Sequence, residues 1–214
     1  LGKSLSYLAA GFFSSKKLSK PLIVSTFTKN LQMQLFEKDI PQLSQVLETK
    51  INAVIYKGRH NYICKTRLAN VISNHKNLIN NEEYEPFLAL LVWEFETQTG
   101  DISECNGFQI HRFKRLWSLV RSEKGYCSIN NCKKYNGCYL GELRRKIKQV
   151  DIIIVNHSLF ANELKNENSY FPDDFIYVID EAHHFGDVIR SQLIQEFSAS
   201  SFDDVFNYFY DKDK

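Results

Sequence analysis

Phe175-Ile176-Tyr177-Val178-Ile179-Asp180-Glu181-Ala182-His183 decides the fold. A run of apolar and aromatic residues of strand length ends abruptly on two carboxylates, as a buried strand that stops at a site does. Sheets of the α/β class bind their ligands beyond the carboxyl ends of their strands. Asp180 at such an end can hold a magnesium ion through water, and Glu181 can orient and polarise an attacking water. The bland alternative is a surface turn with an acidic pair, and the strand in front argues against it. His183 and His184 offer imidazoles, but adjacent positions on one chain rarely converge on one ion.

Working outward, Val150 to Val155 reads as another strand, ending at Asn156-His157. Pro21 to Ser25 and the weakly alternating Ile51 to Tyr56 read as two more. Between them Thr28 to Glu37 has helical spacing, with Leu31, Leu35 and Phe36 on one face and Thr28 as the cap. Lys3 to Phe13 predicts a helix opening directly after Gly2, and Glu142 to Lys148 a polar, basic one. Strand–helix–strand punctuation of this kind predicts an α/β fold with a parallel sheet. Gly2-Lys3-Ser4 then reads as the tail of a phosphate-binding loop, in which the lysine reaches the phosphates and the serine hydroxyl binds magnesium. A helix N-terminus just behind it adds a positive dipole end. The leucine at position 1 gives the reading that the natural N-terminus, and any targeting signal in it, lies upstream.

Residues 61 to 140 break the pattern. They show no strand periodicity, and helical pieces are predicted at Leu88 to Phe95 and Phe113 to Val120. The region reads as an insertion into the sheet domain, stabilised partly by metal rather than by a core of its own. Charge is uneven along the chain although the net value is +2. Residues 111–150 hold eleven Lys and Arg against two Glu, whereas residues 82–104 hold seven acidic residues and no basic one. A basic band is the footprint expected for a phosphate backbone, and Tyr126, Tyr135 and Tyr139 in it offer stacking surfaces or core packing.

Five cysteines, an odd number, do not suit an extracellular disulfide framework. Cys127, Cys132 and Cys138 are spaced too widely for an ordinary zinc ribbon, and a cluster accepts wider spacing. Cys64, flanked by Arg59, Lys65 and Arg67, is the fourth ligand on grounds of charge. Cys105, at the end of the acidic stretch, is the spare. No apolar run approaches the ~20 residues of a membrane span.

Taken in order, these segments resemble the iron–sulfur superfamily 2 DNA helicases of the DinG/XPD type, the DinG branch most closely. Gly2-Lys3-Ser4-Leu5 with Tyr7-Leu8 resembles the end of the Walker A motif. Val24 to Gln32 resembles motif Ia, and Lys57 to Cys64 the segment with the first cluster cysteine. Ile154 to Phe160 resembles the strand before motif II, and Val178 to His183 is similar to the DEAH box. The resemblance implies a P-loop RecA-like parallel sheet, its first strand missing here, interrupted by a mainly helical 4Fe–4S domain. The expected division is 1–60 and 141–188 for the motor, 61–140 for the cluster insertion, and 189–214 for the start of a helical arch. It implies an ATP-dependent helicase moving 5′ to 3′ on single-stranded DNA and opening forked or hybrid duplexes, in DNA repair or replication. ATP, Mg²⁺ and a 4Fe–4S cluster are its cofactors. Lys3, Ser4 and Gly2 would serve the nucleotide, Asp180 and Glu181 the metal and water, and His183 the coupling to the rest of the motor. Thr26, Thr28 and Asn30 would contact DNA phosphates. The same resemblance implies a monomer off the membrane, cytoplasmic in a bacterium and nuclear in a eukaryote. It also implies that this stretch alone is inactive, because a second motor domain normally supplies an arginine. Two other readings remain: a DinG-like nuclease, and a non-enzymatic zinc-bound nucleic-acid module.

Overall fold

The computed structural model describes residues 2–124, 126, 132 and 137–193. Four strands, β1 (Leu22–Thr26), β2 (Ala53–Ile55), β3 (Ile152–Asn156) and β4 (Ile176–Ile179), form one sheet in the order β2-β3-β1-β4. Every pairing is parallel, with Leu22 against Ile152 and Ile176, and Ala53 against Ile152. The α/β expectation holds, and the topology is consistent with a RecA-like fold.

Parallel strands need helical crossovers, and these cover both faces. The period of two divides the strand side chains between two cores. Leu22, Val24, Ile152 and Ile154 pack under α1 (Lys3–Leu18) and the helical run of α2 (Lys29–Gln34) and α3 (Ile40–Val46). Ile23, Ile153 and Val155 face the other way, with Leu140, Ile147 and Phe160. Thr28 caps α2 as the sequence predicts, its hydroxyl accepting from the Leu31 amide at 3.3 Å. A five-residue π-turn, Leu35–Asp39, then joins α2 to α3. It shifts the helical phase, so Leu35 is fully buried while Phe36 turns outward. The last strand departs from the buried strand predicted: β4 has β1 on one side and no partner on the other among the described residues, and Tyr177 is exposed.

The insertion leaves the sheet after β2. It contains α4 (Lys65–Ser73), α5 (His75–Leu78), α6 (Tyr84–Glu96) and α7 (Lys114–Val120), and the chain returns through α8 (Tyr139–Ile147). Here the sequence expectation is corrected. The insertion has its own apolar core, in which Ile63, Leu68, Val71, Phe87, Leu90, Trp93, Phe108, Leu116 and Trp117 are buried together. Short helices of irregular phase hide that core from a periodicity reading, because its partners come from distant positions. Polar contacts tie the elements further. Arg67 donates to the carbonyls of Ser118 and Arg121 at the end of α7, Arg115 pairs with Glu83, and the Trp117 indole donates to the His60 carbonyl at 2.9 Å. Lys57, just past β2, forms a buried ion pair with Asp101 of the insertion, and its ammonium also donates to Ser103 Oγ at 2.8 Å.

Beyond β3 the chain forms α9 (His157–Lys165), capped by Asn156, whose side chain accepts from the Leu159 amide at 2.7 Å. After β4 comes α10 (Phe185–Leu193). The arch expected over 189–214 falls mostly outside the described residues. None of the described helices is long and apolar enough to cross a membrane.

Candidate functional site

The carboxyl end of β4 and the N-terminus of α1 meet in a cleft of about 620 Å³, lined by Lys3, Tyr7, Asp180, Glu181 and His183 among others. A larger groove of about 860 Å³ opens between β2 and the insertion, away from the carboxylates of β4. Gly2 holds the loop conformation before α1 with φ 103°, a region that suits glycine. One turn places Lys3 and Tyr7 on the same helical face. Lys3 Nζ lies 2.6 Å from Asp180 Oδ1, and Tyr7 donates its hydroxyl to Asp180 Oδ2 at 3.2 Å. Asp180 is only 6% exposed, and its amide donates to the Ser25 carbonyl at 2.9 Å, which locks the end of β4 to β1.

The electrostatics follow from this packing. Hydrogen bonding to Asp180, and then its charge, raise the Lys3 ammonium above its ordinary value, so the lysine is held charged. Burial, with the Asp180 carboxylate beside it, pushes the Tyr7 phenol up, so Tyr7 remains a donor. Glu181 is the less enclosed carboxylate, with its side chain 44% exposed, and its Oε1 lies 3.8 Å from Lys3. A deep carboxylate against a lysine, with a wetter carboxylate beside it, can hold a phosphate-bound cation and orient water respectively.

The described residues thus bring Lys3, Asp180 and Glu181 together, with Gly2 and Ser4 at the same helix start. His183 stands at the rim with its side chain 68% exposed. The phosphate-contact candidates separate. Thr26 is fully buried, with the Thr28 and Val155 carbonyls 3.3 and 3.5 Å from its hydroxyl, so that hydroxyl is engaged within the loop. Thr28 and Asn30 are exposed. Of the two readings open for Tyr139, the core one holds: it packs against Gly100, and its hydroxyl donates to Glu94 at 2.9 Å.

Sequence reading missed a second layer under the site. His157, 2% exposed, shares a 2.7 Å hydrogen bond with Ser25 Oγ. Burial pushes its pKa below the ordinary value, against the opposing pull of Asp180. Phe27 stacks on His184 with ring centroids 4.2 Å apart. The available signals were the position of His157 directly after a strand and the four-residue spacing of Lys3 and Tyr7.

Cys127 lies outside the described residues. Cys64 and Cys138 each occupy the N-cap of a helix, α4 and α8. A thiolate there meets unpaired amides and the positive dipole end, and Cys138 Sγ already accepts from the Gly141 amide at 3.4 Å. Lys65, next to Cys64, lies over the Tyr139 ring next to Cys138, and Arg67 lies over Tyr126 next to Cys127. The flanks of the proposed ligands therefore touch. Cys105 is buried in the apolar core with Phe108 and Trp117, and that burial raises its pKa.

No protein-family model matches the chain. It is 31% identical over 202 residues to the ATP-dependent DNA helicase YoaA of Escherichia coli K12, covering 92% of this chain and 31% of that protein. It is 30% identical over 209 residues to the ATP-dependent DNA helicase DinG of the same organism, covering 90% and 28%. The chain is homologous to the DinG-type helicases. A further relative, the 3′-5′ exonuclease DinG of Bacillus subtilis 168, is 31% identical over 189 residues, covering 86% of this chain and 19% of the relative. The chain thus spans about a third or less of the length of these DinG-type relatives.

Proposed function

We propose that this chain is part of the motor of an ATP-dependent DNA helicase that moves 5′ to 3′ on single-stranded DNA and opens forked or hybrid duplexes, in DNA repair or replication. The observation that carries the reading is the Lys3–Asp180 pair at 2.6 Å, a lysine at a helix start poised on the carboxylate that ends a parallel strand. Two DNA helicases among the relatives support it. With no nucleotide, the ammonium neutralises Asp180. Lys3 would meet the ATP phosphates, Asp180 would then be left to hold a cation, and Glu181 would orient water. The α1 N-terminus directs backbone N–H groups at the same anions.

The Lys3 ammonium on Asp180 is a stand-in for a cation, so the donors fit magnesium, with Ser4 and Asp180 as its holders. Magnesium supplies charge neutralisation of the phosphates. The helix-cap positions of Cys64 and Cys138 likewise fit a 4Fe–4S cluster, with Cys127 and Cys132 completing the set. The cluster supplies a covalent clamp on the insertion. Thr28, Asn30 and the exposed Arg112, Lys114 and Lys124 form the phosphate-contacting surface, and His183 links the nucleotide site to the second motor domain. The division into motor (1–60, 141–188), insertion (61–140) and arch (189–214), a monomeric state and an intracellular location belong to the same proposal.

The test is unwinding by the full-length protein of duplexes with a 5′ or a 3′ overhang. Opening of the 5′ substrate with ATP, lost in Glu181→Gln, is the expected result. ATP-independent strand degradation would instead support the nuclease reading, which the Bacillus relative's name favours. The present chain alone, lacking a second motor domain's arginine (worth ~10³-fold or more), is expected to show negligible hydrolysis.

A further inference from the structure

The end of β4 carries more donors than the proposed motor chemistry uses. Glu181 adopts a left-handed conformation, φ 52°, and the 3-10 turn of Ala182–His184 follows. With about three residues per turn, positions three apart eclipse. Glu181 and His184 therefore share one side, and the His184 amide donates to the Glu181 carbonyl at 3.0 Å. Sequence adjacency argues against His183 and His184 converging, but this turn brings them together. Glu181 Oε2 lies 3.9 Å from His183 Nε2 and 4.0 Å from His184 Nε2. The three donor atoms all fall within 4.8 Å of one another. Tetrahedral bonds of about 2.0–2.1 Å to one ion set donors roughly 3.3–3.4 Å apart, so rotations that move these accessible side chains by about an ångström close the set.

Two contacts prepare the arrangement. Phe27 stacks on the face of His184 at 4.2 Å and 18°, which holds the ring plane and leaves the edge nitrogens for other partners. The Glu181 carboxylate is divided, with Oε1 toward Lys3 and Oε2 toward the two imidazoles. Repulsion between Lys3 and an added cation is offset by Asp180, 2.6 Å from that ammonium.

We propose that Glu181, His183 and His184 form a binding site for a divalent transition-metal ion of the zinc, cobalt or nickel class. It is separate from the oxygen-only magnesium position at Ser4 and Asp180. Imidazole donors select this class over magnesium, and three protein ligands leave a fourth position for water. An ion held here draws Glu181 from the attacking water, so occupancy inhibits hydrolysis. That consequence rests on the proposed function, whereas binding does not.

Cobalt(II) titrated anaerobically into the nucleotide-free chain reads the site directly. A nitrogen- and oxygen-bound ion gives d–d absorption without the thiolate charge-transfer band that cysteine ligation adds. The expected result is such a species in the unmodified chain, weakened about tenfold or more in His183→Gln and in His184→Gln with unchanged circular dichroism. His183 has little packing to lose, since its side chain is 68% exposed, so its variant remains informative if His184→Gln misfolds. Cobalt bound through thiolates alone, or bound equally well by His183→Gln, would overturn the site. Failure of the full-length protein to hydrolyse ATP when free of transition metal, with cobalt binding intact in a separate titration, would count against the motor and leave the site standing.

Discussion

The sheet and the insertion solve the same problem by different means. In the sheet, strands of alternating side chains feed two apolar layers, and helices close both faces. In the insertion, short helices and turns gather aromatic residues from positions tens of residues apart around Trp93 and Trp117. A periodic core is written locally and a gathered core is not, so a region without sequence periodicity need not lack a core. What the proposed cluster would add to the insertion is therefore local: it would clamp the stretch nearest Cys64 and Cys138, while Leu116, Leu90 and Trp117 hold the rest.

This contrast can be broken by mutation. The chain has two tryptophans, both in the insertion core, so their fluorescence reports that core while far-ultraviolet circular dichroism reports the whole. Leu116→Ala, at a fully buried position, is expected to cost about 2–5 kcal/mol. It should move the fluorescence transition in urea to lower concentration before the dichroism transition. Coincident shifts would mean that the two regions unfold as one unit.

The Lys57–Asp101 pair joins the two regions at the root of the insertion and is nearly enclosed. Lys57→Met leaves the carboxylate buried without its partner, a loss of about 3–5 kcal/mol. Restoration by Lys57→Met combined with Asp101→Leu, measured by thermal melting, would assign the loss to the orphaned charge.

The smallest expected effect sharpens the sheet side. His157 is buried neutral between Ser25, Phe27 and Phe185, with Asp180, Glu181 and His184 as its titratable neighbours. Its folded pKa lies below the ordinary 6.5, so the unfolded chain binds the proton more readily. Its contribution to stability is present above pH 6.5 and is lost as pH falls through that value toward the folded pKa. Melting curves across this range should flatten in His157→Gln. An unchanged slope would place the pH dependence elsewhere.

Much of the sheet and its site was legible in the sequence. The strands lie within one or two residues of their predicted bounds, because buried parallel strands write themselves as short apolar runs. Lys3 and Asp180 were readable as motif residues although 177 positions separate them, since each sits at the end of a regular element. The Thr26 and Thr28 roles were not separable, as two residues in one loop differ only in which way the backbone turns them. The His184 position was hidden because convergence depends on a left-handed residue and a 3-10 turn. The core of the insertion was hidden because its partners are distant. Cys105 was set aside for its acidic neighbours, whereas the stronger reason is its burial among aromatic rings.

The most direct test of a helicase motor with a cluster-bearing insertion is iron and sulfide analysis of anaerobically purified protein, with cysteine variants beside it. About four iron and four sulfide per chain are expected, lost in Cys64→Ser and Cys132→Ser and retained in Cys105→Ser. About one zinc without iron, or iron that survives Cys64→Ser and disappears in Cys105→Ser, would contradict the account.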